Sequence, residues 1–215
     1  MKLKALERRN YNFEVRAEEG ENDSIITGRP VVYESKTDLG YFDEIIARGA
    51  LDGTDLTDVR FLVNHDVSKI PLARSRRNNG NSTMRLSPDY EGLAIEVHLD
   101  TERNADAKAL YSAVQRGDIT GMSFMFSIDD YEWQDLETEH PTRIIKKVGS
   151  IVEVSACTFP AYTDTEINAR SKEALESALL DLEKARKEKR GQSVETDLQA
   201  ALELEKAKFN FTSKL

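Results

Sequence analysis

One stretch, residues 121–128, constrains the fold more than any other: it reads Gly-Met-Ser-Phe-Met-Phe-Ser-Ile. Apolar side chains recur in it at every second position, at Met122, Phe124, Phe126 and Ile128. This is the period of a β-strand with one face against a core. Ser123 therefore lies on the opposite face and points away from the core.

A serine in this position has a chemical meaning only if other groups accompany it. The hydroxyl is a weak nucleophile at its ordinary pKa, so it needs a base within hydrogen-bond reach and a third group that orients that base. A catalytic role for Ser123 therefore requires a base and an acid elsewhere in the sequence.

Further β-patterned runs are spread along the first 160 residues. The predicted strands are 11–15, 25–33, 58–64, the hairpin 84–86 with 92–99, the Ser123 strand 121–133, and 143–158 after a polar turn at 135–141. Residues 104–115 carry an apolar stripe and predict a helix ended at Gly117. Residues 41–47 predict a short helix or turn stopped at Gly49, and residues 69–82 predict a loop.

The last part of the chain has a different composition. Residues 171–208 contain no proline, mix charges of both signs, and place leucines at a four-three spacing. We therefore predict an α+β protein, mainly β with helices, whose β-rich domain is 1–165 and whose charged helical tail is 166–215. The tail is either an interaction arm or scaffold-like segment, or a partly ordered helical extension.

Composition narrows the class of partner. The net charge is −9 and the isoelectric point about 5.0, which argues against nucleic acid or an anionic membrane as the main partner. No apolar run approaches the length of a membrane span, and charged residues follow Met1 where a signal peptide would be apolar. One cysteine and three histidines without metal-ligand spacing predict no metal and no cofactor. We expect a cytoplasmic protein.

Three histidines compete for the role of base. His98 lies on the polar face of a predicted strand and His140 lies in a turn beside a proline. His65 instead follows an apolar strand directly, where a loop on a rigid element can present it to a cleft. Its ordinary pKa suits both proton acceptance and donation at neutral pH. A surface histidine at a strand end is the competing interpretation.

Two carboxylates compete for the role of the orienting acid. The midpoint between Ser123 and Glu153 falls at Thr138, inside the 135–141 turn, so a hairpin would make the two residues cross-strand neighbours. Room for an imidazole between them requires a bulge or a diagonal register. Glu153 also interrupts a valine-rich run, although it could point to solvent there. Asp66, next to His65, is the rival.

Cys157 offers a third interpretation, as the nucleophile with His65 as its base. Its apolar sequence context, without a cation nearby, favours a buried structural thiol instead.

Several short motifs together resemble the prohead proteases of tailed bacteriophages that have the HK97-type capsid. They span roughly 25–162 and include Gly-Arg-Pro-Val-Val-Tyr at 28–33, Leu-Val-Asn-His-Asp at 62–66, Pro-Leu-Ala-Arg at 71–74, Gly-Met-Ser-Phe at 121–124 and Glu-Val-Ser-Ala-Cys-Thr-Phe-Pro-Ala at 153–161. The order and spacing of these motifs are more specific than any one of them.

The resemblance carries expectations about fold and function. It implies a serine peptidase related to the herpesvirus assemblins, with an antiparallel β-barrel core and catalytic residues His65, Ser123 and Glu153. The implied substrates are the scaffold segment of the major capsid protein and the enzyme itself, inside the immature prohead in the host cell cytoplasm. Assemblin relatives also suggest a dimer. Arg74, or the backbone near it, is a candidate for stabilising the oxyanion.

A non-enzymatic alternative fits the acidic helical tail equally well. In it, the chain is a capsid assembly or scaffolding protein with a degenerate protease fold.

Overall fold

The computed structural model describes residues 6–11, 15–19, 24–77, 81–158 and 175–191. The strands are β1 (Leu6–Tyr11), β2 (Val15–Glu19), β3 (Ser24–Val32), β4 (Lys36–Asp38), β5 (Asp43–Ile46), β6 (Asp58–Val63), β7 (Ala73–Arg76), β8 (Met84–Pro88), β9 (Gly92–Leu99), β10 (Gly121–Gln134) and β11 (Thr142–Cys157). The helices are α1 (Ala105–Gln115) and α2 (residues 175–191). The hairpin, the central helix and the Ser123 strand are thus where the sequence predicts them.

The strands form two sheets over one core. A seven-stranded sheet runs β1-β10-β11-β5-β4, and β6 pairs with β11 and carries β7 on its other side. The second sheet runs β2-β3-β9-β8. The apolar faces of both sheets and of α1 meet in a single buried cluster that includes Ile26, Leu110 and Phe124. The expected α+β class, mostly sheet, is confirmed.

The strand pairings do not form the closed antiparallel barrel that the resemblance implies. In the part of the chain that the structure describes, they produce two sheets whose edges do not join. The long strands β10 and β11 are irregular here: their register shifts at several points between Met125 and Tyr131. Bulges of this kind bend a sheet over its core without requiring that it close.

Several segments differ from the sequence-based expectation. Strand β4 and most of β1 and β2 were not predicted, and the strand predicted at 11–15 includes residues 12–14, which lie outside the described residues. Residues 43–46 form strand β5 rather than a helix, because they pair in parallel with 142–145 of β11. Within the expected loop at 69–82, residues 73–76 form strand β7 against β6. Both strands have four residues, and partners distant in the sequence specify them, so no local period reveals them. Gly49 does adopt the expected left-handed conformation, with φ of 83°.

The helix α1 is delimited by its caps. The Asn104 side chain accepts hydrogen bonds from the N–H groups of Asp106 and Ala107. At the other end Gly117 has φ of 77°, and the N–H of Asp118 bonds to the Ala113 carbonyl. This pattern is a Schellman motif. No helix among the described residues is long and apolar enough to cross a membrane.

The described part of the tail, α2, packs on the β10–β11 hairpin. Ala178 and Leu182 are buried, and the Tyr131 hydroxyl donates to Asp181 at 2.8 Å. Burial, followed by the Asp181 charge, raises the pKa of Tyr131 to about 12. Arg186 donates to the carbonyl of Leu136 at 2.9 Å. One face of this helix is therefore part of the folded domain, and the remainder of the expected helical tail lies outside the described residues.

Four charged side chains form a buried ion cluster, composed of Glu7, Arg9, Glu44 and Arg143. Each guanidinium contacts both carboxylates. Glu44 is fully buried; burial alone would raise its pKa, but the charges of Arg9 and Arg143 lower it. Because Glu7 and Arg9 belong to β1, Glu44 to β5 and Arg143 to β11, the cluster fastens three strands of one sheet.

We expect Arg143→Ala to lower the free energy of unfolding by about 3–5 kcal/mol, because it leaves a buried carboxylate without its cation. Arg29→Ala is the matched control: it breaks a more exposed ion pair with Asp89 and should cost at most about 1 kcal/mol. Urea unfolding followed by circular dichroism measures both. Equal losses in the two variants would mean that removing Arg143 does not leave an uncompensated buried charge.

Candidate active site

Ser123 lies on the face of β10 opposite the core, as expected. Its neighbours Met122 and Phe124 belong to the main apolar cluster, whereas Met125, which shares the face of Ser123, is buried outside that cluster. The Ser123 side chain is nevertheless 0% exposed, and its hydroxyl donates to the backbone carbonyl of Arg9 in β1 at 2.7 Å. The Ser123 side chain therefore faces away from the apolar core but is not accessible to solvent.

The register of the hairpin decides which residues share the face of Ser123. Ser123 is directly opposite Ser155, and Met125 is directly opposite Glu153. Glu153 is therefore the diagonal neighbour of Ser123, at a typical separation of about 7–8 Å. This is the register expected for a serine and a carboxylate with an imidazole between them.

His65 is delivered from the end of β6, which pairs in parallel with the end of β11. Asn64 and His65 both have positive φ, 51° and 59°, a conformation that costs free energy for residues other than glycine. The Asn64 side chain secures the turn through two hydrogen bonds to Thr158, at 2.9 and 3.0 Å. The turn therefore holds the imidazole against the edge of β11.

A hydrogen-bonded chain joins His65, Glu153 and Ser155. His65 Nδ1 bonds to Glu153 Oε1, and the Ser155 hydroxyl donates to Glu153 Oε2 at 2.6 Å. The same hydroxyl accepts the backbone N–H of His65 at 3.1 Å. Glu153 is 3% exposed, so it does not point to solvent. Its two oxygens are committed to one imidazole and one hydroxyl, which fixes the orientation of the ring.

The other candidates for base, acid and oxyanion donor have hydrogen-bond partners of their own. Asp66 is exposed and accepts hydrogen bonds from the hydroxyl and the backbone N–H of Ser68, which lower its pKa. His98 bonds to Glu96 at 2.8 Å, and His140 bonds to Asp43 at 3.2 Å. Arg74 holds Asp58 through two hydrogen bonds, at 2.6 and 2.8 Å. This ion pair engages the Arg74 guanidinium, which the sequence analysis gives as a candidate for stabilising the oxyanion.

Cys157 lies on the same face but lacks the character of a nucleophile. Burial raises the pKa of its thiol to about 12, and the Glu153 charge adds to the increase, whereas the nearby Ser123 hydroxyl and Arg8 act in the opposite direction. A thiol with this pKa is not ionised at neutral pH.

One group of side chains among the described residues has the spacing of a metal site. Single ligand atoms of Asp38, Asp43 and His140 lie within 4.8 Å of one another. Burial would raise the pKa of Asp43, but hydrogen bonds from Lys36 and His140 lower it. The ammonium of Lys36, 2.8 Å from Asp43, already supplies the cation for this carboxylate. The group lies at the β4–β5 end of the sheet, not beside His65.

Sequence reasoning missed two contributors to the site. Ser155 was not singled out, although it follows Glu153 by two positions and so shares its face of the strand. The Arg9 carbonyl could not be found from the sequence, because only the pairing of β1 with β10 brings it to Ser123. The alternation of side chains along the strand could have identified Ser155, whereas no local sequence pattern points to the Arg9 carbonyl.

Comparison with known proteins assigns the chain to a family. The model of the caudovirus prohead serine protease family matches residues 11–178, and the chain belongs to this family. It is 36% identical over 114 residues to the prohead protease of Enterobacteria phage HK97, a match that covers 52% of this chain and 44% of that protein. The chain thus matches less than half the length of this curated relative.

A solved structure is also similar. The capsid assembly protease of bacteriophage T4 aligns with 13% sequence identity, over 70% of this chain and 98% of that one, with a TM-score of 0.34.

We expect Cys157 in the native protein to resist iodoacetamide at pH 8, because the thiolate is the reactive form and burial disfavours it. Intact-mass measurement should show less than a tenth of the alkylation rate of the urea-unfolded chain. Rapid labelling of the folded protein would instead indicate that the Cys157 thiol is ionised, and Cys157 would again be a candidate nucleophile.

Proposed function

We propose that the chain is a serine endopeptidase with Ser123 as nucleophile, His65 as general base and Glu153 as the acid that orients the imidazole. The observation that carries this proposal is the hydrogen bond between His65 Nδ1 and the buried Glu153, on the face of the sheet that also holds Ser123. Membership of a serine protease family supports the class of enzyme.

The proposed mechanism follows from the arrangement of Glu153, His65 and Ser123. With Nδ1 bonded to Glu153, Nε2 is the nitrogen that takes the proton from the Ser123 hydroxyl. Ser123 Oγ then attacks the scissile carbonyl and forms an acyl-enzyme, and the imidazolium gives its proton to the leaving amine. Glu153 stabilises the imidazolium, and water repeats the sequence to release the acyl group. Ser155 keeps the second Glu153 oxygen bonded throughout, so the carboxylate cannot rotate away.

The family and its relatives suggest the substrate. A prohead protease acts during capsid assembly, so the proposed substrates are the scaffold segment of the major capsid protein and the protease itself. The proposed location is the interior of the immature prohead in the host cell. The relation in fold to the herpesvirus assemblins, and a dimer of that type, belong to the same proposal.

The tail is proposed to be the removable part. Residues 166–215 would target the enzyme into the prohead and be removed by self-cleavage. Because α2 contacts the β10–β11 hairpin through Asp181 and Arg186, cleavage before this helix would leave it attached by non-covalent contacts alone.

Ser123→Ala should abolish both processing of the capsid protein and self-cleavage, since it removes the proposed nucleophilic oxygen. Intact-mass analysis of wild type and variant, each co-expressed with and without the capsid protein, measures this. Ser68→Ala is the matched control and should process normally, because Ser68 is exposed and bonds to Asp66. Whole chains in every sample, wild type included, would favour the non-catalytic scaffolding alternative.

The carboxylate that orients His65 can be identified by amide substitution. We expect Glu153→Gln to reduce the processing rate by a factor of about 10³–10⁴, because the amide favours the wrong imidazole tautomer. Asp66→Asn should change the rate less than threefold. Ser155→Ala should lower kcat by about 10-fold or more with little change in KM, since it loosens an orienting group rather than a substrate contact.

Rates of processing of purified capsid protein by the full-length variants give these values. The opposite ranking, with Asp66→Asn the more damaging, would transfer the role of acid to Asp66.

A further inference from the structure

Strands β6 and β7 carry an arginine row, composed of Arg60, Arg74 and Arg76. The row points away from the core, because Phe61 and Ala73, which alternate with these arginines along the two strands, belong to the main apolar cluster. The side chains of Arg60 and Arg74 are 41% and 40% exposed, and Arg76 is exposed. The arginine row is therefore accessible to solvent.

The arginine row lies on the same face of the sheet as the proposed catalytic residues. Arg60 is directly opposite Glu153 in the parallel pairing of β6 with β11, so the two side chains leave the sheet on the same side. Arg74 is directly opposite Arg60 in the antiparallel pairing of β6 with β7. Since Ser123 is the diagonal neighbour of Glu153, this face carries the proposed nucleophile, its acid and the arginine row.

Positive charge exceeds negative charge within β6 and β7. Asp58 is the one carboxylate of these two strands, and it accepts hydrogen bonds from Arg74 at 2.6 and 2.8 Å and from Arg60 at 3.0 Å. Arg76 is directly opposite Asp58. Like charges in opposition, such as those of Arg60 and Arg74, destabilise an antiparallel pair. A cost of this kind, in a chain of net charge −9, indicates that the row serves binding rather than stability.

The ion pair with Asp58 also orients the row. Asp58 accepts from Nε and Nη2 of Arg74, which is one edge of the planar guanidinium. A guanidinium has five N–H donors, so the edge formed by its two Nη atoms can bind a second carboxylate through two parallel hydrogen bonds. Because Asp58 already fixes the Arg74 side chain, less conformational entropy is lost when that second carboxylate binds.

We propose that the arginine row binds acidic side chains of the polypeptide substrate, about three to five residues from the scissile bond. Neighbouring strands are about 4.8 Å apart, so β6 and β7 lie about 10 and 14 Å from the strand of Ser123. An extended peptide rises about 3.3 Å per residue, and one that crosses this face from Ser123 reaches the row within that number of residues. The inference rests on the proposed function and names a determinant of its specificity.

The test maps the residues that flank the bonds cut by the full-length enzyme. A proteome-derived peptide library is digested, and mass spectrometry identifies the cleavage sites. Wild type should favour Asp and Glu at these positions. Arg60→Gln with Arg76→Gln, which leaves the Arg74–Asp58 pair in place, should lose this preference. The same double variant should raise KM for purified capsid protein about tenfold and change kcat less than twofold, because it removes a binding contact alone.

Two further variants make the result specific. Arg16→Gln with Arg85→Gln is the matched control: it changes the net charge equally, at exposed positions of the second sheet, and should keep the preference of wild type. Arg76→Glu alone changes one exposed position and covers the case in which the double variant does not fold. It should shift the preference at these positions from acidic towards basic residues, since it reverses the charge that they meet.

The outcomes separate this inference from the proposed function. If wild type cleaves the library without a preference for acidic residues, or the arginine variants keep that preference, this inference alone fails. If those variants instead lose affinity for a double-stranded DNA fragment while their cleavage sites stay unchanged, the row is a nucleic-acid contact and the inference is overturned. If wild type cleaves neither the library nor capsid protein, the proposed function fails and this inference fails with it.

Discussion

The register between β10 and β11 is the constraint on which the site depends. Because Ser123 is opposite Ser155, the period of the strand places Glu153 on the same face and one step along the diagonal. A shift by one residue would turn Glu153 into the apolar core, where a carboxylate without a partner costs several kcal/mol, of order 3–5. The bulges that follow Met125 absorb the curvature of the sheet beyond the site, so the register beside Ser123 stays regular.

The seven-stranded sheet contains the buried ion cluster, and this cluster has a structural role. The ion cluster joins β1 to β11 and β5, two paired strands from which β10 separates it in the sheet. Buried ion pairs contribute little net stability compared with apolar packing, but they penalise wrong pairings strongly. Glu44 and Arg143 therefore specify where β1 and β5 lie more than they stabilise the fold as a whole. The position of β1 in turn places the Arg9 carbonyl against the Ser123 hydroxyl.

Much of this architecture could be predicted from local pattern. The alternation in 121–128, the capped helix at 104–115 and the strand that ends at His65 all carry their own period or cap. The segments that were misassigned, β5 and β7, are short and depend on distant partners. For β5 the sequence analysis predicted a short helix or turn ended at Gly49. The segment is instead a strand whose Glu44 is buried, because two arginines from other strands make that burial favourable.

The sequence by itself determined the chemistry available to this protein: a serine off the core of a strand, a histidine after another strand, and a glutamate in a valine-rich run. It also determined which residues share a face within each strand, because side chains alternate strictly along a strand. Only the tertiary structure decided that His65 bonds to Glu153 rather than to Asp66, and that Arg9 covers Ser123. Those contacts join residues about 90 and 114 positions apart, and no local rule specifies them because they depend on which strands become neighbours.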